Sequence, residues 1–229
     1  MLMTMTDVYD EPAGIAPRGT VIVAAGRGEH AGAYARFGKR ISADGYRVRV
    51  LPDVTADLDA AFDTAGKLLA DDALPGPKVI AGSDTGALFA LALGPRPDAL
   101  ILAGLPVARP EGINLLGGWE AEIEARTACP NHRRVLGDGA STLLAPIPPA
   151  LSAAVEQTSL PTLGLHGDAD PISPLDEARP LYPGTLVAVA GGRHDVLNDV
   201  SHRTVAATIV LFLERLRLGP SLPVIAEAL

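Results

Sequence analysis

The sequence predicts an α/β fold: a mostly parallel sheet of about six strands with helices on both faces. Three observations predict it. Short apolar runs without polar alternation recur along the chain, as strands buried on both faces require. Stretches with helical spacing separate those runs. Glycine or proline stands at most of the joins, where the chain must turn.

The elements follow in order. Residues 20–25, Thr-Val-Ile-Val-Ala-Ala, form a buried-strand run that Gly26 ends. Residues 33–43 read as a helix closed by Gly45. Residues 46–51 are β-rich, and Pro52 stops them. Residues 56–70 place Leu58, Ala61, Phe62, Ala65, Leu68 and Leu69 on one helical face. Residues 78–81 are a short strand, 85–93 a small-residue helix ended by Gly94-Pro95, and 99–103 a further strand. From 104 to 159 prolines, glycines and charges mix with short helical pieces. Residues 105–159 therefore read as an insertion that caps the site, inside one domain spanning 1–229. Order returns with a strand at 161–166, a helix at 174–181, a strand at 185–190 and an amphipathic helix at 204–216. No internal repeat and no low-complexity segment interrupts the pattern.

The totals narrow the function classes. With 19 Lys and Arg against 27 Asp and Glu, the formal net charge is -8. A surface of that sign repels phosphate backbones, so nucleic acid is not an expected partner. Cys129 is the single cysteine, which leaves no intramolecular disulfide and fits a reducing compartment. Residues 1–18 carry Asp7, Asp10 and Glu11 rather than a basic start and an apolar core, so no signal peptide is read there. No apolar run reaches the roughly 20 residues of a membrane span. The expectation is a cytoplasmic protein without stable membrane insertion, of open oligomeric state, with a small apolar molecule as partner and no cofactor or metal.

In a parallel sheet, ligands bind beyond the carboxyl ends of the strands. Gly82-Ser83-Asp84-Thr85-Gly86 follows one strand and opens a helix. That is the context of a nucleophile elbow, G-x-Nuc-x-G, whose sharp turn excludes side chains at its outer positions. The central residue is Asp84. Centring the turn on Ser83 would put the glycines out of register. Asp170 follows a later strand and His194 the last one, in the chain order nucleophile, acid, histidine. The acid would orient the imidazole and stabilise its charged form.

These stretches resemble a known family. Gly26-Arg27-Gly28-Glu29-His30-Ala31-Gly32-Ala33-Tyr34 is similar to the first loop of the monoacylglycerol lipase and lysophospholipase-like branch of the α/β hydrolases. His166-Gly167-Asp168-Ala169-Asp170-Pro171-Ile172 resembles its acid loop, and Gly191-Gly192-Arg193-His194-Asp195 its histidine loop. The resemblance runs from about residue 19 to 216. It implies an α/β-hydrolase fold, an Asp84–His194–Asp170 triad, and an oxyanion hole made by the backbone N–H groups of Arg27 and Thr85. Two positions depart from the pattern: Ala25 stands where a histidine is usual, and Asp84 where serine is. In the second respect the elbow resembles those of epoxide hydrolases and haloalkane dehalogenases. Yet no tyrosine lies between 104 and 159, and Arg27-Gly28 replaces their usual loop.

Aspartate changes the chemistry. It is ionised at neutral pH and can attack a saturated carbon directly, giving an ester that His194 would hydrolyse by activating water. Attack on an ordinary ester is less sensible, because it must expel an alkoxide to form a mixed anhydride. The activity could thus be hydrolysis of an ester, lactone, epoxide or similar bond. The other reading is an altered relative that only binds a small molecule or assists a non-hydrolytic reaction.

Blander readings compete at each position. Asp84 could be a helix N-cap, where aspartate is favoured. Asp168 competes with Asp170 as the acid. Gly26, Gly28 and Gly32 with Asp53 could hold a dinucleotide. Trp119, the one tryptophan, could line the substrate or simply pack the cap. Cys129 with His132 makes no zinc set. Glu29 and His30 read as a structural pair, His166 as a satisfied core histidine, and His202 as solvated.

Overall fold

The computed structural model describes residues 7–93, 96–107, 118–138, 147–152 and 158–226. Its centre is a seven-stranded sheet in the order β1-β3-β2-β4-β5-β6-β7. The strands are β1 (Asp7–Tyr9), β2 (Gly19–Ala24), β3 (Tyr46–Leu51), β4 (Lys78–Ser83), β5 (Ala99–Ala103), β6 (Thr162–Gly167) and β7 (Thr185–Val189). Each neighbouring pair is parallel except β1 with β3, which is antiparallel. The six strands read from the sequence are β2 to β7, and β1 adds a seventh at the edge. At three residues, with Val8 exposed, β1 is too short to carry a hydrophobic pattern.

The helices are α1 (Ala35–Ala43), α2 (Leu58–Ala70), α3 (Thr85–Ala92), α4 (Trp119–Arg126), α5 (Pro130–Asp138), α6 (Pro149–Ser152), α7 (Leu175–Ala178) and α8 (His202–Arg217). Residues 31–34, expected as helix from 33, form a 3-10 turn leading into α1. The core is two layers split by the sheet. Val21 and Val23 of β2 face one way, into a cluster with Phe37 and Ile41 of α1 and Ile209 and Phe212 of α8. Ile22 and Ala24 face the other way, toward Ala65 of α2 and Phe89 of α3. This is the period-two alternation of a strand buried on both sides. Phe89 is wholly buried and stacks on Phe62 at 4.6 Å between ring centres. Burying such a ring contributes roughly 1.5–3 kcal/mol.

Local signals start and stop the helices. The Asp57 carboxylate accepts from the Ala60 N–H at 3.0 Å and caps α2. Helix α8 buries Val205, Ile209, Phe212, Leu213 and Leu216, one stripe at helical spacing. Of the segment between β5 and β6, the described parts are 104–107, α4, α5 and the stretch around α6, which packs on α3. Residues 108–117, 139–146 and 153–157, within the expected cap 105–159, lie outside those described.

Candidate active site

Asp84 occupies the turn between β4 and α3 with φ 51° and ψ -122°, a conformation a non-glycine residue holds only under constraint. The two flanking glycines supply that constraint. A Cβ on Gly82 would lie 2.0 Å from the Gly86 carbonyl oxygen, and one on Gly86 would lie 2.1 Å from that of Ala24. No side chain fits at either position, so β2, β4 and α3 close tightly around the elbow. Asp84 makes no side-chain cap to α3, so its carboxylate is not used as the helix cap the bland reading required.

The carboxylate points toward the histidine. His194 Nε2 lies 3.4 Å from Asp84 Oδ1, within ion-pair reach but without hydrogen-bond geometry. On the other side of the ring, His194 Nδ1 is 2.7 Å from Asp170 Oδ2. Asp170 also accepts from the backbone N–H groups of Ile172 and Ser173, which fix its orientation. Asp168 is exposed instead and accepts from the Gly191 N–H at 2.7 Å, so it staples a turn. The Arg27 N–H, expected as an oxyanion-hole donor, donates to Asp84 Oδ2 at 3.1 Å. Thr85 is wholly buried on the first turn of α3, and its Oγ1 meets no partner among the described residues.

Two arginines complete the picture. Arg27 Nη2 stands 3.4 Å from Asp84 Oδ2. Arg126, the last residue of α4, reaches in from the segment between β5 and β6 and places Nη2 3.1 Å from the same oxygen. Neither guanidinium is more than 1 % exposed. Arg126 also contacts Glu29 Oε1 at 2.9 Å, Glu122 Oε1 at 3.2 Å and Asp195 Oδ1 at 3.3 Å. One cation thus faces four carboxyl groups. Sequence reading missed this role, because Glu122 and Arg126 at i,i+4 look like a surface ion pair on any short helix.

The charges set each other's ionisation. Burial works to raise the Asp84 pKa, but Arg27, then Arg126, then His194 hold it well below the usual carboxylate range. Burial works against a charged His194, yet Asp170 first and Asp84 next push its pKa up to about 10. Asp170 is likewise lowered: burial works to raise it, but the His194 charge together with hydrogen bonds from His166, His194 and the Ser173 N–H outweighs that. Glu29 is pushed up to about 8 by burial and then by Asp195. It bonds the Tyr34 hydroxyl and the Gly26 N–H as well as Arg126. Its partners are therefore not His30, whose ring bonds the Val135 carbonyl.

These distances define a fold as well as a site. No protein-family profile and no curated protein sequence matches the chain. Solved structures do. A monoacylglycerol lipase from Paleococcus ferrophilus superposes with a TM-score of 0.70 at 15% identity, over 93% of this chain and 98% of that one. A soluble variant of the Saccharomyces cerevisiae monoglyceride lipase, in complex with a substrate analog, gives 0.72 at 14% over 92% and 91%. A thermostable carboxyl esterase from Bacillus coagulans, in complex with glycerol, gives 0.67 at 16% over 93% and 94%. The chain has the α/β-hydrolase fold.

Within this α/β-hydrolase fold the remaining predicted residues find other places. Asp53 accepts from the Gly28 N–H at 2.8 Å and from Thr55, so it braces the first loop and has no free edge for a ribose. His166 bonds the Tyr182 hydroxyl and the Ser173 carbonyl, and its Nε2 also lies 3.2 Å from Asp170 Oδ2. Trp119 opens α4 and packs against the larger core cluster. Cys129 is buried, with its Sγ 3.4 Å from Arg36 Nη1. Glu29, His132 and Asp195 bring potential ligand atoms within 4.8 Å of one another. Arg126 already bridges Glu29 and Asp195, so a metal ion would have to displace a guanidinium. His202 bonds the Asp199 carbonyl at 2.9 Å.

Proposed function

We propose that this protein is a hydrolase in which Asp84 is a covalent nucleophile, His194 the base and Asp170 its orienter. The observation that supports the reading is the placing of one imidazole between two carboxylates, with the Arg27 N–H on the elbow carboxylate. An Asp84 oxygen would attack a saturated carbon, and the broken bond's electron pair would leave on an epoxide oxygen, a halide or a similar group. Esterified Asp84 no longer carries the charge that helps hold the His194 proton, so that proton passes to an alkoxide leaving group, or to solvent where the leaving group departs as a halide ion. The neutral imidazole then takes a proton from water as the hydroxide adds to the Asp84 carboxyl carbon. The oxyanion formed there lies beside the Arg27 N–H. As the tetrahedral centre collapses, His194 returns the proton to the departing alkoxide and then receives the proton of the new carboxylic acid. The sum is one water consumed and one bond cleaved. The Thr85 N–H would share the oxyanion, and Trp119 would bound the substrate side.

One observation favours a second reading, in which the site binds without turnover. The Asp84 carboxylate is wholly buried and tied to Arg27 and Arg126, which damps its nucleophilicity. Intact-mass measurement on His194→Gln separates the readings. With epoxides, haloalkanes, lactones and esters offered in turn, the nucleophile reading expects an adduct that accumulates because its hydrolysis is blocked. No adduct, together with no His194-dependent turnover in the unmodified protein, would leave the binding reading.

A further inference from the structure

Arg27 is 1 % exposed, and only part of its fork is used. Nη2 lies beside Asp84, while Nε and Nη1 meet no acceptor among the described residues. The Thr85 hydroxyl, one residue beyond Asp84, is equally buried and equally unpartnered. Buried donors are normally satisfied, and charged ones more strictly than neutral ones. Arg126 Nη2 stands on the same carboxylate oxygen as the Arg27 backbone N–H. Any molecule that reaches Asp84 therefore meets two permanent cations. An alkyl chain set against them would leave both guanidiniums further desolvated. An oxyanion would pair with them, and guanidinium is the side-chain group best matched to it.

We propose that the substrate carries an oxyanion, in the simplest case a carboxylate, which Arg27 and Arg126 bind beside the carbon that Asp84 attacks. This deepens the hydrolase reading and rests on it for the chemistry after binding, though not for the binding itself. It adds a charged group, at this end of the molecule, to the apolar substrate expected from the sequence. It also gives the arginines a reason to release Asp84. In the empty site they hold the carboxylate. In the complex they turn to the incoming anion and leave the nucleophile less restrained.

Isothermal titration with propionate and with its neutral isostere propionamide tests the anion site without needing turnover. In Asp84→Asn the resident carboxylate no longer competes for the arginines, so propionate should bind at least tenfold more tightly than it does to the unmodified protein. Propionamide should show no such gain. Equal binding of the two ligands, or no gain for propionate in folded Asp84→Asn, overturns the proposal. Should Asp84→Asn fail to fold, the unmodified protein decides: propionate should raise its Tm and propionamide should not, and equal shifts or none overturn it. A protein that binds propionate selectively but forms no adduct would sink the nucleophile and keep the anion site.

Discussion

Two ionic clusters stand at opposite ends of the same sheet. At the amino ends of β2 and β3, Arg18 Nε donates to Glu214 Oε1 at 2.8 Å, and Arg217 and the Tyr46 hydroxyl bond the same carboxylate. The Arg18 side chain is 38% exposed. At the carboxyl ends, Arg27, Arg126, Asp84, His194 and Asp170 are at most 5% exposed. Both clusters set arginines against carboxylates, but the surroundings differ. Solvent satisfies and screens the outer cluster, so it acts as an ordinary surface tie between α8 and the sheet. The inner cluster has no such relief. Arg27 Nε and Nη1 meet no partner among the described residues, Asp84 is held well below its usual range and His194 is pushed up to about 10 although both are wholly buried, and each charge depends on the others. Perturbed groups gathered at the carboxyl edge of a parallel sheet are what a working site requires.

The comparison is broken most sharply at Arg126. Arg126→Met would leave Asp84, Asp195 and Glu122 without their shared cation. A broken buried ion pair costs about 3–5 kcal/mol. Urea unfolding should show a loss of that order, and a loss below about 1 kcal/mol would mean that the network is not held as described. The same substitution should free Asp84 from one restraint, so adduct formation with a neutral epoxide should rise relative to the folded fraction.

Titration gives an intermediate effect. His194 keeps its proton more tightly when folded, so its stabilising contribution is complete below about pH 6.5 and is lost as pH rises through about 10. Glu29 is also raised, from 4.5 to about 8, so it too lowers stability as pH rises, over that earlier window. Tm should therefore fall steadily from pH 6.5 to 10. Glu29→Gln should flatten the part of that fall below pH 8. A Tm that rises across the window would contradict the raised His194.

The smallest effect belongs to the outer cluster. Glu214→Gln removes a half-buried partner of two solvent-accessible arginines, and such partly exposed pairs contribute roughly 0–1 kcal/mol. Urea unfolding should barely move, and 0.5 M salt should erase most of what does, since screening at about 3–4 Å competes with such pairs. A loss as large as that of Arg126→Met would remove the distinction between the two ends.

The sequence made part of the inner cluster readable and not the rest. The elbow, the acid loop and the histidine loop are short segments whose glycines are dictated by local backbone geometry, and such geometry shows in a string of residues. Asp170 and His194 also sit directly after strands, where topology alone brings them together. Arg126 has no comparable mark. Its direction depends on how α4 packs, and that is settled by contacts with loops distant in sequence, such as the Arg126 carbonyl accepting from the Asp195 N–H at 2.9 Å. Asp199 ties the same two regions, accepting from Thr127, Ala128 and Cys129 on one oxygen and from Arg193 on the other. The strand β1 was unreadable for a different reason: an edge strand of three residues is defined by its partner β3 rather than by its own pattern.

The most direct measurement is a single turnover in heavy-oxygen water with a substrate that gives His194-dependent cleavage. If Asp84 is the nucleophile, the product takes its new oxygen from Asp84, and the peptide containing Asp84 gains one heavy oxygen. Label in the product with none in that peptide would contradict the account, because water would then have attacked the substrate directly.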